Sequence, residues 1–220
     1  MYLIIPEVLS PEEVEEARGV ISRSDFADGR ETAGWHARLV KKNEQARRGS
    51  PEMEALKRKL SAKLLENALF RSFVRPKALT PLIISRYREG MTYGSHVDDA
   101  IMGGIRTDVS FTLFLSDETT YDGGALVIES TAGEDDVRLP AGSLVAYPST
   151  TLHRVEPVTR GERLAAVGWA RSFVRDPASR EILFDLDNAR QMLFEAGGKT
   201  PAFDLVSKAQ ANLVRRWAED

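Results

Sequence analysis

The stretch DVSFTLFLSDETTYDGGALVIESTAGEDDVRLPAGSLVAYP (108–148) decides the fold class. Short runs rich in β-branched and aromatic residues alternate in it with Gly, Asp, Pro and Ser, which is the pattern of strands separated by turns. The same pattern extends on both sides, and the predicted strands cover 82–87, 108–116, 124–130, 135–140, 142–148, 153–158 and 163–174. Short strands with little helical pattern between them favour a sandwich or barrel over βαβ units.

Helices are predicted on both sides of this region. Four helix starts share a side chain that can cap the first turn, followed by proline at the first helical position. The four pairs are Ser10-Pro11, Ser50-Pro51, Asp176-Pro177 and Thr200-Pro201. Glu13 completes a capping box with Ser10. The second helix should pack one face on a core, because its apolar residues recur at helical spacing at Met53, Leu56, Leu60 and Leu64. The last two helices are predicted over 177–195 and 201–217, so the chain is mainly β with flanking helices (α+β).

Some connecting segments also carry predictions. The polar, glycine-containing segment 23–49 is interpreted as a long loop with one strand near residues 35–40. Gly123 and Gly124 predict a tight turn with positive φ, in an ordinary hairpin before the next strand. The segments 23–49 and 99–107 are the expected lids of a site, given their glycine and charge content.

The bulk properties limit the class of protein. Of the 220 residues, 42% are hydrophobic and 29% charged, as in an ordinary globular protein with one sizeable core. Thirty Lys and Arg against 33 Asp and Glu give a net charge of -3, so no nucleic-acid partner is favoured. The absence of cysteine excludes disulfides, zinc thiolate sites, iron–sulfur clusters and cysteine nucleophiles.

We expect a jelly-roll domain with N-terminal helices over residues 1–175 and a helical extension over 176–220. The extension could cover the barrel or form a homodimer. The apolar start of the chain is broken at Pro6 and Glu7 and is not preceded by basic residues, so neither a signal peptide nor a membrane helix is expected. A soluble cytoplasmic protein with no membrane partner is therefore predicted.

Two of the three histidines, His96 and His153, fall in the strand-rich region. His96 and Asp98 are two residues apart, and in extended backbone such residues project from the same face, about 6.5 Å apart. With His153 from a distant strand, they would form a set of two imidazoles and one carboxylate. This set suits a non-haem Fe(II) centre with open positions for substrate and oxygen. On spacing alone the alternative stays open that Asp98 ends a strand and His153 lies at the surface. His36, beside Trp35, is expected to be structural.

Arg163 strengthens the case for a ligand site. It begins a strand that is apolar on both faces, and an inward-pointing arginine there needs an anionic partner, because an unpaired buried charge is costly. A small dicarboxylate cosubstrate could supply that partner in a bidentate fork. The alternatives are that Arg163 lies at the barrel mouth or pairs with Glu162 or Glu156. Arg160, in a turn, and Arg154, on the strand face opposite His153, are weaker candidates.

The same region resembles the PKHD-type hydroxylases, bacterial relatives of the prolyl and lysyl hydroxylases that are often described as iron-uptake factors. The resemblance is carried by RYREGMTYGSHVDDA (86–100), RTDVSFTLFLSD (106–117), YDGGALVIE (121–129), LPAGSLVAYPSTTLHRVEPVTRGERLAAVGW (139–169) and RDP (175–177). It covers at least residues 82–187 and includes spacing as well as residue types.

This resemblance implies a double-stranded β-helix (jelly roll) and a dioxygenase that consumes O2 and 2-oxoglutarate and releases succinate and CO2. It implies that His96, Asp98 and His153 bind Fe(II) and that Arg163 holds the distal carboxylate of 2-oxoglutarate. Tyr87 matches a tyrosine that often helps to bind this cosubstrate, with a core aromatic as the alternative. L-ascorbate dependence is a further implication. The family name suggests a peptidyl proline or lysine as the substrate, whereas the iron-uptake label suggests a small iron-related molecule.

Two other functions stay open. A non-catalytic metal-binding jelly roll could act as an iron sensor or interaction module, but such a protein needs no dicarboxylate anchor at Arg163. A nucleobase demethylase is expected to have a second arginine where this chain has Trp169, a residue that we expect to pack in the barrel.

Overall fold

Helices flank a strand-rich centre in the described residues, 1–47 and 49–219, of the computed structural model. The helices of this part of the chain are α1 (Pro11–Ser22), α2 (Pro51–Glu66), α3 (Ala68–Val74), α4 (Pro177–Gly197) and α5 (Pro201–Trp217). Its strands are β1 (Leu3–Ile5), β2 (Phe26–Asp28), β3 (Lys41–Lys42), β4 (Glu44–Ala46), β5 (Pro76–Leu79), β6 (Ile83–Arg88), β7 (Thr92–His96), β8 (Ile101–Met102), β9 (Ile105–Arg106), β10 (Val109–Phe114), β11 (Asp122–Gly123), β12 (Leu126–Ser130), β13 (Gly133–Val137), β14 (Leu144–Pro148), β15 (His153–Val155), β16 (Val158–Arg160) and β17 (Glu162–Ser172).

All four predicted helix starts form. The Ser10 side chain accepts a hydrogen bond from the Glu13 N–H, and the Glu13 side chain accepts one from the Ser10 N–H, so the capping box is present. The side chains of Ser50, Asp176 and Thr200 each accept a hydrogen bond from the third residue of the following helix. The predicted helices α1, α2, α4 and α5 are therefore confirmed, whereas the short helix α3 is an additional element.

Two antiparallel sheets face each other and form a jelly roll. The larger sheet has the strand order β1-β14-β10-β17-β6-β4-β2, and β5 pairs with the C-terminal part of β17. The smaller sheet has the order β13-β12-β15-β7-β3. An apolar core between them includes Phe114 and Val145 from the larger sheet and Leu126 and Val155 from the smaller one. The predicted fold class, with flanking helices, is confirmed.

Strand β10 shows how alternate residues serve the two faces of the larger sheet. Phe111 and Leu113 belong to the core that this sheet forms with helices α1 to α4. Ser110 and Thr112 lie on the lining of a cavity between the two sheets. Because side chains alternate across a strand, a run that is almost wholly apolar still presents two polar groups to one side.

The segment 23–49 differs from the predicted loop. Residues 35–40 form no strand, and a short 3-10 helix, Ala37–Leu39, lies there instead. The strands of this segment are β2 and β4, at one edge of the larger sheet, and β3, at one edge of the smaller sheet. The prediction of a strand near 35–40 is wrong because these polar residues become strands through pairing with sheet edges, not through local propensity.

The turn at Gly123 and Gly124 also differs from the prediction. Both glycines have positive φ, at 69° and 63°, as expected. The ordinary hairpin is not formed, because β11 pairs with β16, with an irregularity between Asp122 and Gly123, and not with the following strand. A Cβ at position 123 would lie 2.1 Å from the carbonyl oxygen of Pro157, so only glycine fits here.

We predict that Gly123→Ala destabilises the protein by about 2 kcal/mol or more, because the left-handed backbone costs about 1–2 kcal/mol for a residue with a Cβ and the backbone contact adds to it. Gly103→Ala is the matched control, since Gly103 also has positive φ but a Cβ there would have no atom within 4 Å. Urea denaturation followed by circular dichroism measures both. Equal losses for the two variants would contradict the steric explanation.

The C-terminal helices pack on the helical layer through only part of their length. Leu183 is buried, whereas Met192, Phe194 and Leu205 are exposed near the α4–α5 turn. The homodimer predicted from these apolar residues stays a prediction. Within the described part of the chain, no helix combines the length and the apolar character needed to cross a membrane.

Candidate functional site

His96 and His153 face each other on neighbouring strands of the smaller sheet. They are direct partners in the register of β7 and β15, and their ring centroids are 4.3 Å apart. Asp98 follows the end of β7 and places Oδ1 4.0 Å from Nε2 of His96 and Oδ2 3.7 Å from Nε2 of His153. The three side chains predicted from the sequence are thus brought together, and one ligand atom of each lies within 4.8 Å of the others.

Backbone carbonyl groups fix the orientation of both imidazole rings. Nδ1 of His96 lies 2.8 Å from the Gly94 carbonyl oxygen, and Nδ1 of His153 lies 3.1 Å from that of Thr151. Since a carbonyl only accepts hydrogen bonds, each Nδ1 carries the proton. The lone pairs of both Nε2 atoms are therefore directed at the space beside Asp98, which is the arrangement of metal-binding histidines.

The carboxylate of Asp98 is held by two serines. Oδ2 accepts a hydrogen bond of 2.6 Å from the Ser110 hydroxyl, and the hydroxyls of Ser110 and Ser149 are 2.8 Å apart. Neither serine was predicted from the sequence as a site residue. The available indication was the polar residue at position 110 in the mainly apolar strand β10.

The surroundings favour a neutral His96. Burial is the largest effect on His96 and, with the neighbouring His153, lowers the pKa of His96 to about 4. The ring of Tyr93 stacks on His96, with centroids 3.6 Å apart, and excludes water from that face. A neutral imidazole is the form that binds a metal ion, so this cluster is prepared for a cation.

Arg163 is a buried cation that has no counterion among the described residues. Only 1% of its surface is exposed, and it makes no ion pair with any residue that the structure describes. Its Nε has no hydrogen-bond partner. The guanidinium lies 5.4 Å from the ring centroid of Tyr87 and 5.1 Å from that of Phe114. A charge buried in this way is costly without an anionic partner.

The alternatives to Arg163 are occupied elsewhere. Glu162, its proposed partner, pairs with Arg88, and Glu156 pairs with Arg154. Arg160 pairs with Asp122 at the surface. Of Arg154, Arg160 and Arg163, therefore, Arg163 is the one without an ion pair in the described residues.

Tyr87 is the cross-strand partner of Arg163 and lies in the same cavity. Burial raises the pKa of Tyr87 to about 12, so the hydroxyl stays protonated and can donate to an anion. Tyr147, which the sequence analysis did not select, also lines the cavity, and its ring packs against His153 with centroids 5.1 Å apart. Burial likewise raises the pKa of Tyr147 well above its ordinary value.

One cavity joins these groups. Its volume is about 840 Å³ including the open mouth, and its lining contains the His–Asp–His cluster as well as Arg163. Residues from both predicted lids, 23–49 and 99–107, also line it, among them Lys41 and Met102. Trp169, expected to pack in the barrel, lies on the cavity wall, and its indole N–H has no hydrogen-bond partner. His36 is not part of the cluster.

The sequence matches known families over most of its length. Residues 82–171 match the 2OG-Fe(II) oxygenase superfamily, and residues 178–219 match the PKHD-type hydroxylase C-terminal domain. A PKHD-type hydroxylase of Acaryochloris marina is 54% identical over 220 residues, which are 100% of both chains. In fold, the chain is similar to a prolyl-4-hydroxylase of Pseudomonas putida, with a TM-score of 0.52, 24% identity and coverage of 78% of this chain and 92% of that one. A viral collagen prolyl hydroxylase from Paramecium Bursaria Chlorella virus-1, in its 2OG complex, gives a TM-score of 0.55 at 19% identity, with 78% and 96% covered.

The jelly roll and the matched oxygenase model define a 2-oxoglutarate-dependent dioxygenase. With relatives about half identical over its full length, the chain belongs to the PKHD-type hydroxylases. The family implies Fe(II) and 2-oxoglutarate as its cofactor and cosubstrate. The residues fit both groups: two imidazoles and a carboxylate suit a divalent metal ion, and the buried guanidinium, which has no ion pair in the described residues, suits a carboxylate.

Proposed function

We propose that this hydroxylase binds Fe(II) through His96, Asp98 and His153, and 2-oxoglutarate through Arg163 and Tyr87. The observation that supports this assignment is the presence in one cavity of the three-ligand cluster and a buried guanidinium without an ion pair in the described residues. When bound, Fe(II) and 2-oxoglutarate supply the oxidising chemistry that inserts one oxygen atom of O2 into a substrate C–H bond and releases succinate and CO2.

The protein groups bind and orient in this proposal. The carbonyl groups of Gly94 and Thr151 keep the two imidazoles in one tautomer, so that each presents Nε2. Ligands from only three side chains leave positions for the cosubstrate and oxygen. Arg163 lines the same cavity, where its guanidinium can donate a hydrogen bond to each oxygen of a carboxylate. The stacked rings around these groups exclude water, which strengthens each charged interaction.

The proposed substrate is an organic molecule that enters the cavity mouth, either a peptidyl proline or lysine or a small iron-related molecule. Residues 23–49 and 99–107 are proposed as the lids, because both segments contribute to the lining. Residues 1–175 are proposed as the oxygenase domain and 176–220 as its helical extension.

Succinate formation tests the proposal. Purified protein with Fe(II), O2 and 2-oxoglutarate should release succinate and CO2, faster when a metabolite extract supplies the substrate, and omission of Fe(II) should stop the release. Parallel assays with and without L-ascorbate test that further expectation. A protein that binds Fe(II) but never converts 2-oxoglutarate would instead be the iron sensor or interaction module.

We predict that Ser110→Ala weakens Fe(II) binding about 10- to 100-fold, because loss of a group that orients a metal ligand typically has an effect of this size. The Asp98 carboxylate would lose its 2.6 Å hydrogen bond and rotate more freely. Competition with a metal-chelating dye measures the affinity. Ser149→Ala is the control, since Ser149 contacts Ser110 and should have the smaller effect. Unchanged affinity in Ser110→Ala would show that Asp98 needs no such support.

A further inference from the structure

A second buried cation lies in the same cavity, on the opposite sheet from Arg163. Lys41 is 9% exposed and belongs to β3 at the edge of the smaller sheet, whereas Arg163 belongs to β17 of the larger sheet. Both residues line the cavity. The strand period explains the inward direction of Lys41, because the next residue, Lys42, is exposed.

The ammonium group of Lys41 has little to bind within the described residues. Its one recorded hydrogen bond is a long one, 3.4 Å, to the Thr32 hydroxyl, which itself donates to the Gln45 side chain. No carboxylate of these residues lies within ion-pairing distance of it. Asp98 is the nearest candidate by its electrostatic effect, but that carboxylate is directed at the two imidazoles and at Ser110. An ammonium has three donors, so at least two are available to a ligand.

Lys41 lies close to the proposed metal ligands through a stack of rings. Its Nζ is 4.8 Å from the ring centroid of Tyr93, and the Tyr93 ring stacks on His96. Nearby, Asn43 is 3% exposed, interacts with the Tyr87 hydroxyl and also lines the cavity. Lys41 of β3, Asn43 between the two strands and Gln45 of β4 are at alternate positions along the chain and line the cavity with polar groups.

We propose that Lys41 binds a carboxylate of the hydroxylated substrate, so that the substrate class is a carboxylic acid. This inference rests on the proposed function, in which Arg163 holds the distal carboxylate of 2-oxoglutarate. Lys41 and Arg163, on opposite sheets, would then bind two different anions, the substrate carboxylate and 2-oxoglutarate. A neutral peptidyl proline would leave Lys41 buried and unpaired, which is costly.

Matched pairs of acids and amides test this inference without knowledge of the natural substrate. The protein is loaded with Fe(II) and 2-oxoglutarate in the absence of O2, and calorimetry measures the binding of each probe. The pairs are N-acetyl-L-proline and its amide, Nα-acetyl-L-lysine and its amide, and salicylate and salicylamide. The affinities for capped Gly-Pro-Glu and capped Gly-Pro-Gln are compared in the same way. This comparison shows whether the carboxylate that binds can be an acidic side chain of a peptide or must belong to a small molecule.

We expect at least one acid to bind about tenfold or more tightly than its amide, as a hydrogen bond to a charged group contributes at this level. Lys41→Met should remove the preference, so that acid and amide bind alike, whereas Lys42→Met should keep it. Lys41→Gln serves as a second variant. Melting curves separate a binding role from a structural one, because removal of an unpaired buried charge should not lower the melting temperature.

Three results would overturn the assignment. The first is that wild type binds no acid in the set more tightly than its amide. The second is that Lys41→Met still prefers the acid. The third is that Lys41→Met binds 2-oxoglutarate itself about tenfold more weakly, which would make Lys41 a cosubstrate ligand. The titration of 2-oxoglutarate into the Fe(II)-loaded wild type is the separate check on the proposed function. If 2-oxoglutarate did not bind in this titration, the proposed function would be wrong, whatever the acid and amide probes showed.

Discussion

Replacement of His96 by alanine is expected to abolish 2-oxoglutarate turnover and to lower Fe(II) affinity by more than about 100-fold, since even the groups that merely orient a ligand contribute 10- to 100-fold. His96 is buried and supplies one of the three protein ligands in the proposed site. The two remaining groups, Asp98 and His153, would hold the ion from one side only.

The chain offers a matched control for this variant. His36 lies outside the cluster and is packed edge-on against Trp35, so His36→Ala should keep both iron and activity. Iron per protein, measured by mass spectrometry after gel filtration, and succinate formed per minute are the two readouts. If His96→Ala retained full iron and full turnover, the proposed ligand set would be wrong.

The local part of the His–Asp–His site could be read from the sequence because it depends only on chain geometry. His96 and Asp98 lie two residues apart at the end of a strand, and both reach the same side, while Val97 between them is exposed. The pairing of His153 with His96 depends on the register of two strands that are far apart in the sequence. No local pattern encodes that register, so the third ligand came from the family resemblance and the residue type.

The strands, too, were predictable where they depend on local sequence and not where they depend on pairing with distant strands. The apolar strands β10, β14 and β17 were predictable because burial on both faces requires nearly continuous apolar residues. Strand β7, with the sequence TYGSH, and strand β3, with only two lysines, were not. These strands exist because neighbouring strands offer them hydrogen-bonding partners, β15 for β7 and β7 for β3. They carry polar residues because they border the cavity. Lys41 was missed for this reason, since a polar loop and a polar strand look alike in sequence.

Arg163, in contrast, could be predicted as a site residue from the sequence, because burial of an unpaired charge costs free energy. An arginine within an apolar strand needs an anionic partner, either a carboxylate of the protein or a ligand. Glu162 and Glu156, the candidate carboxylates, form ion pairs with other arginines. Gly124 belongs to the same arrangement. A Cβ at this position would lie 3.1 Å from Cδ of Arg163, so the glycine leaves space for the arginine side chain.

Arg163→Lys is expected to raise the concentration of 2-oxoglutarate needed for half-maximal turnover by at least about tenfold, because an ammonium cannot reproduce the planar two-pronged contact with a carboxylate. Arg160→Lys is the control, since Arg160 pairs with Asp122 at the surface and its replacement should leave the requirement unchanged. Steady-state succinate formation over a range of 2-oxoglutarate concentrations measures both. An unchanged requirement in Arg163→Lys would move the anchor to another residue.

Arg163→Met separates ligand binding from structure in the same experiment. The buried guanidinium has no counterion in the described residues, so the ligand-free protein carries a cost that methionine removes. The methionine variant should therefore melt at or above the temperature of the ligand-free wild type. Wild type should gain about 2.7 kcal/mol at a 2-oxoglutarate concentration 100 times its Kd, and the variant should gain almost nothing. A merely structural arginine would give the opposite result, a less stable variant whose response to 2-oxoglutarate is intact.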